Sequence, residues 1–247
     1  MTLDFDGELV PIPTPFTDDA SSVSEVRLSR LIRWYQERGI TGYVLNTDLG
    51  EFTSTSFSER KSTMEMVLRD SRGVGVVVPN VTTLNTGASL DLAQHAERHG
   101  ARAVLLSPPY FGDFSHEEHV HHIFTIAKYC KLPILVVDGQ QKLNDAAWDE
   151  LALLPTVVRA SGPNLHEWRC GHAVCHPFAG LVEADSPEAE QLQVYFRDLG
   201  LARCLKSFLG EFGLELGSNR SPFLAPTQPQ IEVIRALARM AGKEEAA

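Results

Sequence analysis

The run Gly73-Val74-Gly75-Val76-Val77-Val78-Pro79, then a helical stretch over 86–99, then Ala101-Arg102-Ala103-Val104-Leu105-Leu106-Ser107, decides the fold class. An unbroken β-branched run of this length suits a strand buried on both faces, which is the habit of parallel sheets covered by helices. The same unit repeats outward in both directions. Toward the N-terminus, strands are predicted over 8–14 and 42–47. Between them lies a helix over 24–38 with Val26, Leu28, Leu31, Ile32 and Tyr35 on its apolar side and Gly39 ending it. The next helix starts near Ser56, with Ser56 or Ser58 as N-cap and Glu59 in its first turn. Toward the C-terminus follow a helix over 116–129, a strand over 133–138, a helix over 145–154 and a strand over 156–161. Such βα repetition gives either a barrel or a doubly wound sheet, and periodicity does not separate the two.

After Gly162 the pattern changes. Residues 164–170 read as at most two helical turns and 172–178 as a seventh strand, while 188–199, 201–212 and 230–241 read as helices. No eighth strand is readable beyond a crossover helix, which a parallel neighbour requires. The expected architecture is one domain over 1–247. It comprises a barrel core over 1–186, incomplete or altered around its seventh and eighth strands, and a helical segment over 187–247.

The chain has 247 residues, 43% of them apolar and 22% charged, enough for one sizeable core. Its formal net charge of −10 argues against nucleic acid as a partner, because neutralising phosphates takes Lys/Arg clusters. No apolar run approaches a membrane span. Cys130, Cys170, Cys175 and Cys204 are too scattered for a disulfide framework, which points to reduced thiols and a cytoplasmic setting.

Several local patterns, in order and spacing, resemble the dihydrodipicolinate synthase / N-acetylneuraminate lyase family. They are Val10-Pro11-Ile12-Pro13-Thr14-Pro15-Phe16, Gly39-Ile40-Thr41-Gly42 leading to Gly50-Glu51, Phe57-Ser58-Glu59-Arg60, Ser107-Pro108-Pro109-Tyr110-Phe111, Leu132-Pro133-Ile134-Leu135 and Ala160-Ser161-Gly162. Lys206 and Arg220-Ser221-Pro222-Phe223-Leu224 resemble the family's closing helices, whereas 164–185 does not align. The resemblance implies a (β/α)8 barrel of the TIM type, carbon–carbon lyase or aldolase ancestry, no cofactor, and assembly as a homo-dimer or tetramer.

The resemblance also implies a Schiff-base lysine ending the sixth strand, since a primary amine is needed for the iminium electron sink. That run here reads Val158-Arg159-Ala160-Ser161-Gly162, without lysine. A guanidinium stays protonated and does not take over as nucleophile. The tyrosine expected at the end of the fifth strand is replaced in Val137-Asp138. The two carboxylate-binding hydroxyl residues before Gly-Glu read Asp48-Leu49, and the second tyrosine of the Pro-Tyr-Tyr turn reads Phe111. Removing a covalent nucleophile costs a factor of roughly a million, so Schiff-base chemistry is expected to be lost.

Six residues are expected at the C-terminal ends of the strands, where barrel enzymes place their sites. Asp48 and Asp138 would face each other across the mouth as an acid and base, or as ligands for a divalent cation. Both could equally be solvated loop residues. Glu51, Tyr110, Lys142 and Arg159 would contact a small-molecule substrate, Lys142 standing near the family's substrate-binding arginine, with Glu51 the most structural of the four. The histidines His116, His119, His121 and His122 are expected outward on a helix whose buried face is Val120, Ile123, Phe124 and Ala127. The group Cys170, His172, Cys175 and His176 fits no common zinc spacing, so no metal site is assigned. Three functions stay open: a non-catalytic binding or regulatory barrel, a repurposed enzyme using the mouth carboxylates, and an active lyase on a 2-oxo acid with a relocated lysine.

Overall fold

In the computed structural model, which describes residues 5–242, strands and helices alternate as the apolar runs predict. The order is β1 (Gly7–Pro11), α1 (Glu25–Glu37), β2 (Gly42–Leu45), α2 (Phe57–Asp70), β3 (Val76–Pro79), α3 (Thr86–His99) and β4 (Val104–Leu106). Then come α4 (His116–Tyr129), β5 (Ile134–Val137), α5 (Asp145–Ala152), β6 (Val157–Asn164), β7 (Glu167–Cys170), β8 (Ala173–Cys175), α6 (Pro187–Leu199), α7 (Leu201–Gly210) and α8 (Gln228–Ala241). Serine and asparagine caps start α1 to α6. Ser56 and Ser115 form complete capping boxes with Glu59 and Glu118, and Asn85 caps α3. α1 buries Leu28, Leu31, Ile32, Trp34 and Tyr35, while Val26 is turned to solvent, contrary to expectation.

The strands form one sheet in the order β3-β2-β1-β8-β7-β6-β5-β4. Its two ends meet: Val81 N–H donates to Leu105 O (2.8 Å) and Arg102 N–H to Val77 O (3.2 Å), with a parallel bridge between Asn80 and Leu105. The sheet is a closed eight-stranded barrel with helices outside, as the resemblance implies.

An eighth strand is therefore present, correcting the sequence reading, and the last three strands are a meander rather than βα units. β7 pairs antiparallel with β6 (Ser161 opposite Arg169) and with β8 (Trp168 opposite Cys175), and β8 pairs parallel with β1 (Leu9 opposite Cys175). One reversed strand removes the need for two crossover helices, because antiparallel neighbours need only tight turns. In the first turn the Asn164 carboxamide accepts from His166 N–H (3.0 Å), an Asx turn. The second turn has Gly171 at φ +61°, where a two-residue hairpin calls for glycine. Residues 164–170, expected as helical turns, are thus a turn plus a strand. On the outer face of β6–β7, Arg159, Ser161 and Arg169 are exposed.

Two apolar layers result. One lies between strands and helices, where Phe178, Phe196 and Phe208 stack on one another and Phe212 reaches Trp34 of α1, joining α6 and α7 to the barrel. The other fills the barrel's centre: Leu9, Val44, Val78, Ala103, Leu105, Leu135, Val137, Ala160, Trp168, Cys170, Ala173 and Cys175. Trp168 is its bulkiest member and only 1% exposed. Its backbone runs so close to β6 that a Cβ on Gly162 would lie 2.2 Å from Glu167 O and 2.6 Å from Trp168 Cα.

Candidate active site at the barrel mouth

The loops after β2, β4, β5 and β6 surround a cleft of about 220 Å³, lined by Asp48, Phe52, Ser107, Tyr110, Gly139, Gln140, Pro163, Asn164 and Leu165 among others. A buried polar network fixes its rim. Ser107 N–H donates to Thr82 Oγ1 (2.9 Å), Thr82 Oγ1 to Asn80 Oδ1 (2.6 Å) and Asn80 Nδ2 to Asn46 O (2.7 Å). The Arg60 guanidinium donates to Asn80 O (2.7 Å) and Thr82 O (3.0 Å). Burial lowers the Arg60 pKa to about 10, which still leaves it charged at neutral pH. The ends of β2, β3 and β4 are thereby tied together.

Two of the six expected residues stand in this cleft. Tyr110 packs edge-on against Phe52, ring centroids 6.2 Å apart. Asp48 Oδ2 lies 2.6 Å from His166 Nδ1, in a direction that makes an ion contact rather than an aligned hydrogen bond. His166 is not among the expected residues, because 164–170 reads as helical turns in the sequence and is a turn and a strand in the structure. Thr47 Oγ1 and Asp48 Oδ1 are buried without a hydrogen-bond partner, a state that buried oxygens rarely keep unless something else binds them.

The other four stand elsewhere. Asp138 does not face Asp48 across the mouth: its carboxylate accepts from Lys142 N–H (2.8 Å) and Leu143 N–H (2.7 Å), closing its own loop. Together with Arg159, Asp138 lines a different, outer cavity of about 390 Å³. Arg159 points away from the mouth and lays its guanidinium over Trp148, 4.5 Å from the ring centroid. Strand parity explains this, since Ala160 faces the barrel's centre and its neighbour must face out. Lys142 is half-buried, and its carbonyl accepts from His116 Nδ1 (2.7 Å). Glu51 is fully buried at φ +54°, with Oε1 2.6 Å from Lys206 Nζ and Oε2 accepting from Arg220 N–H (2.7 Å). Burial lowers the Lys206 pKa, and Glu51 opposes that shift. Phe111 is 76% exposed.

The histidines of α4 also differ from expectation. His119 and His122 are buried while Phe124 is exposed, so the buried face is turned by about one residue. The His122 pKa falls to about 4 through burial, and His122 Nδ1 contacts Thr86 Oγ1 at 2.9 Å. His176 is buried against Glu8 (3.2 Å), whereas His172 is exposed.

With this geometry in view, residues 4–159 match the model of the dihydrodipicolinate synthetase family. The chain belongs to that family. Curated proteins with similar sequences include a DapA-like lyase of Pyrococcus abyssi, 34% identical over 131 residues, covering 53% of this chain and 44% of that protein. Another is the 4-hydroxy-tetrahydrodipicolinate synthase of Nitrobacter hamburgensis, 31% identical over 132 residues, again 53% and 44%. The N-acetylneuraminate lyase of Escherichia fergusonii is 31% identical over 122 residues, covering 49% and 41%. The matched stretch thus spans less than half of each relative. Among solved structures, the wild-type sialic acid aldolase of Ruminococcus gnavus superposes with a TM-score of 0.82 at 19% identity, covering 98% of both chains. The dihydrodipicolinate synthase of Agrobacterium tumefaciens gives 0.82 at 19% identity, covering 97% of this chain and 98% of that one. At such identity the superpositions speak for the fold alone, and this member of the dihydrodipicolinate synthetase family keeps the whole barrel outline despite its antiparallel meander. No helix among the described residues is long and apolar enough to cross a membrane.

Proposed function

We propose that this barrel no longer runs Schiff-base aldol chemistry and uses its mouth cleft to bind a small molecule. One observation carries the reading: among the described residues, no lysine lines the cleft or the barrel's centre, and Trp168 occupies that centre instead. One of the similar solved structures is a catalytic-lysine mutant of a sialic acid aldolase; here Trp168, in the barrel's centre, packs against Gly162 of β6. Supporting the binding role, Asp48, which lines the cleft, has its Oδ1 buried without a partner. The Asp48 carboxylate disfavours an anionic ligand, so neutral polyols or cationic amines suit the cleft better than 2-oxo acids.

The Asp48–His166 contact favours a second reading, a repurposed enzyme. An imidazole held beside a carboxylate is a serviceable acid–base pair, and it takes the place of the pair once expected from Asp48 and Asp138. The third reading, a relocated lysine, has two bearers. Lys142 lies outside the cleft lining, and Lys206 is held by Glu51 and by Ser218 O (3.2 Å) away from it. The dimeric or tetrameric state implied by the resemblance, and the cytoplasmic setting read from the scattered cysteines, belong to the same proposal.

The test is borohydride trapping with pyruvate, read by intact mass. The expected result is an unmodified chain. A stable covalent adduct would overturn the proposal, and peptide mapping would then tell Lys142 from Lys206.

A further inference from the structure

On the outer surface of the barrel, α2 and α3 bring three side chains to one point. One ligand atom from each of Glu65, His95 and His99 lies within 4.8 Å of the other two. Glu65 Oε1 is 2.9 Å from His95 Nε2 and 3.9 Å from His99 Nε2. Tetrahedral zinc with bonds of about 2.0–2.1 Å separates its ligand atoms by roughly 3.3 Å, so the observed spacings bracket that value.

The two imidazoles come from successive turns of α3, four residues apart, and therefore share one helix face. Their ring centroids are 4.2 Å apart with planes inclined by 32°, both edges directed at the same carboxylate. One turn back, Lys61 Nζ pairs with Asp91 Oδ2 at 2.6 Å, fixing the register of the two helices. The ligands thus sit on rigid, mutually locked elements, as a metal site needs.

Two further observations separate this cluster from an ordinary imidazole–carboxylate pair. His95 is 8% exposed, and its Nε2 makes no aligned hydrogen bond with Glu65 despite the short distance. His99 Nδ1 lies 2.8 Å from His95 O. A carbonyl can only accept, so Nδ1 is the donor in that contact, which leaves Nε2 as the ring nitrogen facing Glu65. Fixing the second ring nitrogen in this way is the usual means of orienting a histidine ligand.

We propose that Glu65, His95 and His99 bind a divalent transition ion of the zinc class, with solvent completing the coordination. Two imidazole nitrogens and one carboxylate suit zinc, nickel or copper rather than magnesium or calcium, which want oxygen ligands. The Glu65 and His99 side chains are 50% and 39% exposed, which leaves the remaining position open to water. The ion clamps α2 to α3, so its effect falls on stability and not on the mouth cleft.

The test uses tag-free, EDTA-stripped full-length chain titrated with zinc chloride by calorimetry, with thermal melts in zinc and in magnesium. One zinc ion per chain and a Tm raised by zinc alone are expected. Loss of an outer-shell partner already weakens metal binding by about 10–100-fold, so Glu65→Gln and His99→Gln should each weaken it at least about tenfold. Both positions are exposed enough for the variants to fold, and melts without metal check this. Absence of saturable binding, or binding that survives both substitutions, would overturn the assignment.

Discussion

Lys206 Nζ lies 2.6 Å from Glu51 Oε1, with the two side chains 4% and 0% exposed. This buried pair joins α7 to the loop after β2, and Arg220 extends the junction. Its N–H donates to Glu51, and its guanidinium grips both oxygens of Glu59 at 2.8 and 2.9 Å. The C-terminal helices are therefore tied to the rim of the barrel by charge as well as by the phenylalanine stack.

Removing one partner strands the other. Lys206→Met leaves the Glu51 carboxylate buried without its ammonium partner, and breaking such pairs costs about 3–5 kcal/mol. Urea denaturation should show that loss. The double variant Lys206→Met with Glu51→Gln should recover a good part of it, because no buried charge then remains.

Trp168→Ala should destabilise the barrel by about 3–5 kcal/mol, the range for emptying a buried tryptophan site. Trp168→Phe should cost less, and its emission spectrum would lose the component of the most buried indole. Equal stability of Trp168→Ala and wild type would mean that the meander does not pack as described.

Acid should weaken the fold through its buried histidines. The His122 pKa is about 4 when folded, against an ordinary 6.5, because burial disfavours the imidazolium. Between those values the unfolded chain takes up a proton that the folded chain refuses, so stability falls as pH drops from 6.5 to 4. The share from this group is up to about 3 kcal/mol. His119, shifted the same way by burial, adds to it. The measurement is urea stability against pH, in which His122→Gln should flatten the profile over that window.

Arg159→Ala should remove only its stacking on Trp148, about 0.5–1 kcal/mol, and leave any ligand of the mouth cleft bound as before. Asp48→Asn should do the reverse, with unchanged melting but altered ligand affinity. A thermal-shift screen of polyols and amines supplies the ligand, and the two variants then assign it to the cleft or to the outer cavity.

The parallel units were legible because each has an unbroken apolar run, such as Ile134 to Val137, followed by a helix with a serine or asparagine cap. Of the meander, the strand expected over 172–178 is present as β8 (Ala173–Cys175), but β7, only four residues long, was not legible. Over so few residues one helical turn and two strand alternations look alike. The alternation of Glu167-Trp168-Arg169-Cys170, apolar in and polar out, was nonetheless there to read. At the mouth, following strand ends led to Asp48 and Tyr110, both of which line the cleft. It failed for Arg159, where a one-residue step exchanges the two faces of a strand. It failed for Asp138 because a carboxylate just past a strand can serve the amides of its own loop. His166 had no signal while its segment was read as helix.

The reversed strand also shapes how the ring can be assembled. β6, β7 and β8 are joined by tight turns, so their pairing closes only small loops of chain and can precede the rest. The seam between β8 and β1 instead unites segments from opposite ends of the barrel sequence, and until it zips, the backbone edges of both strands lie bare to other molecules. Self-association during refolding should therefore track conditions that delay this one seam, and a chain cut before Ala173 should aggregate rather than fold.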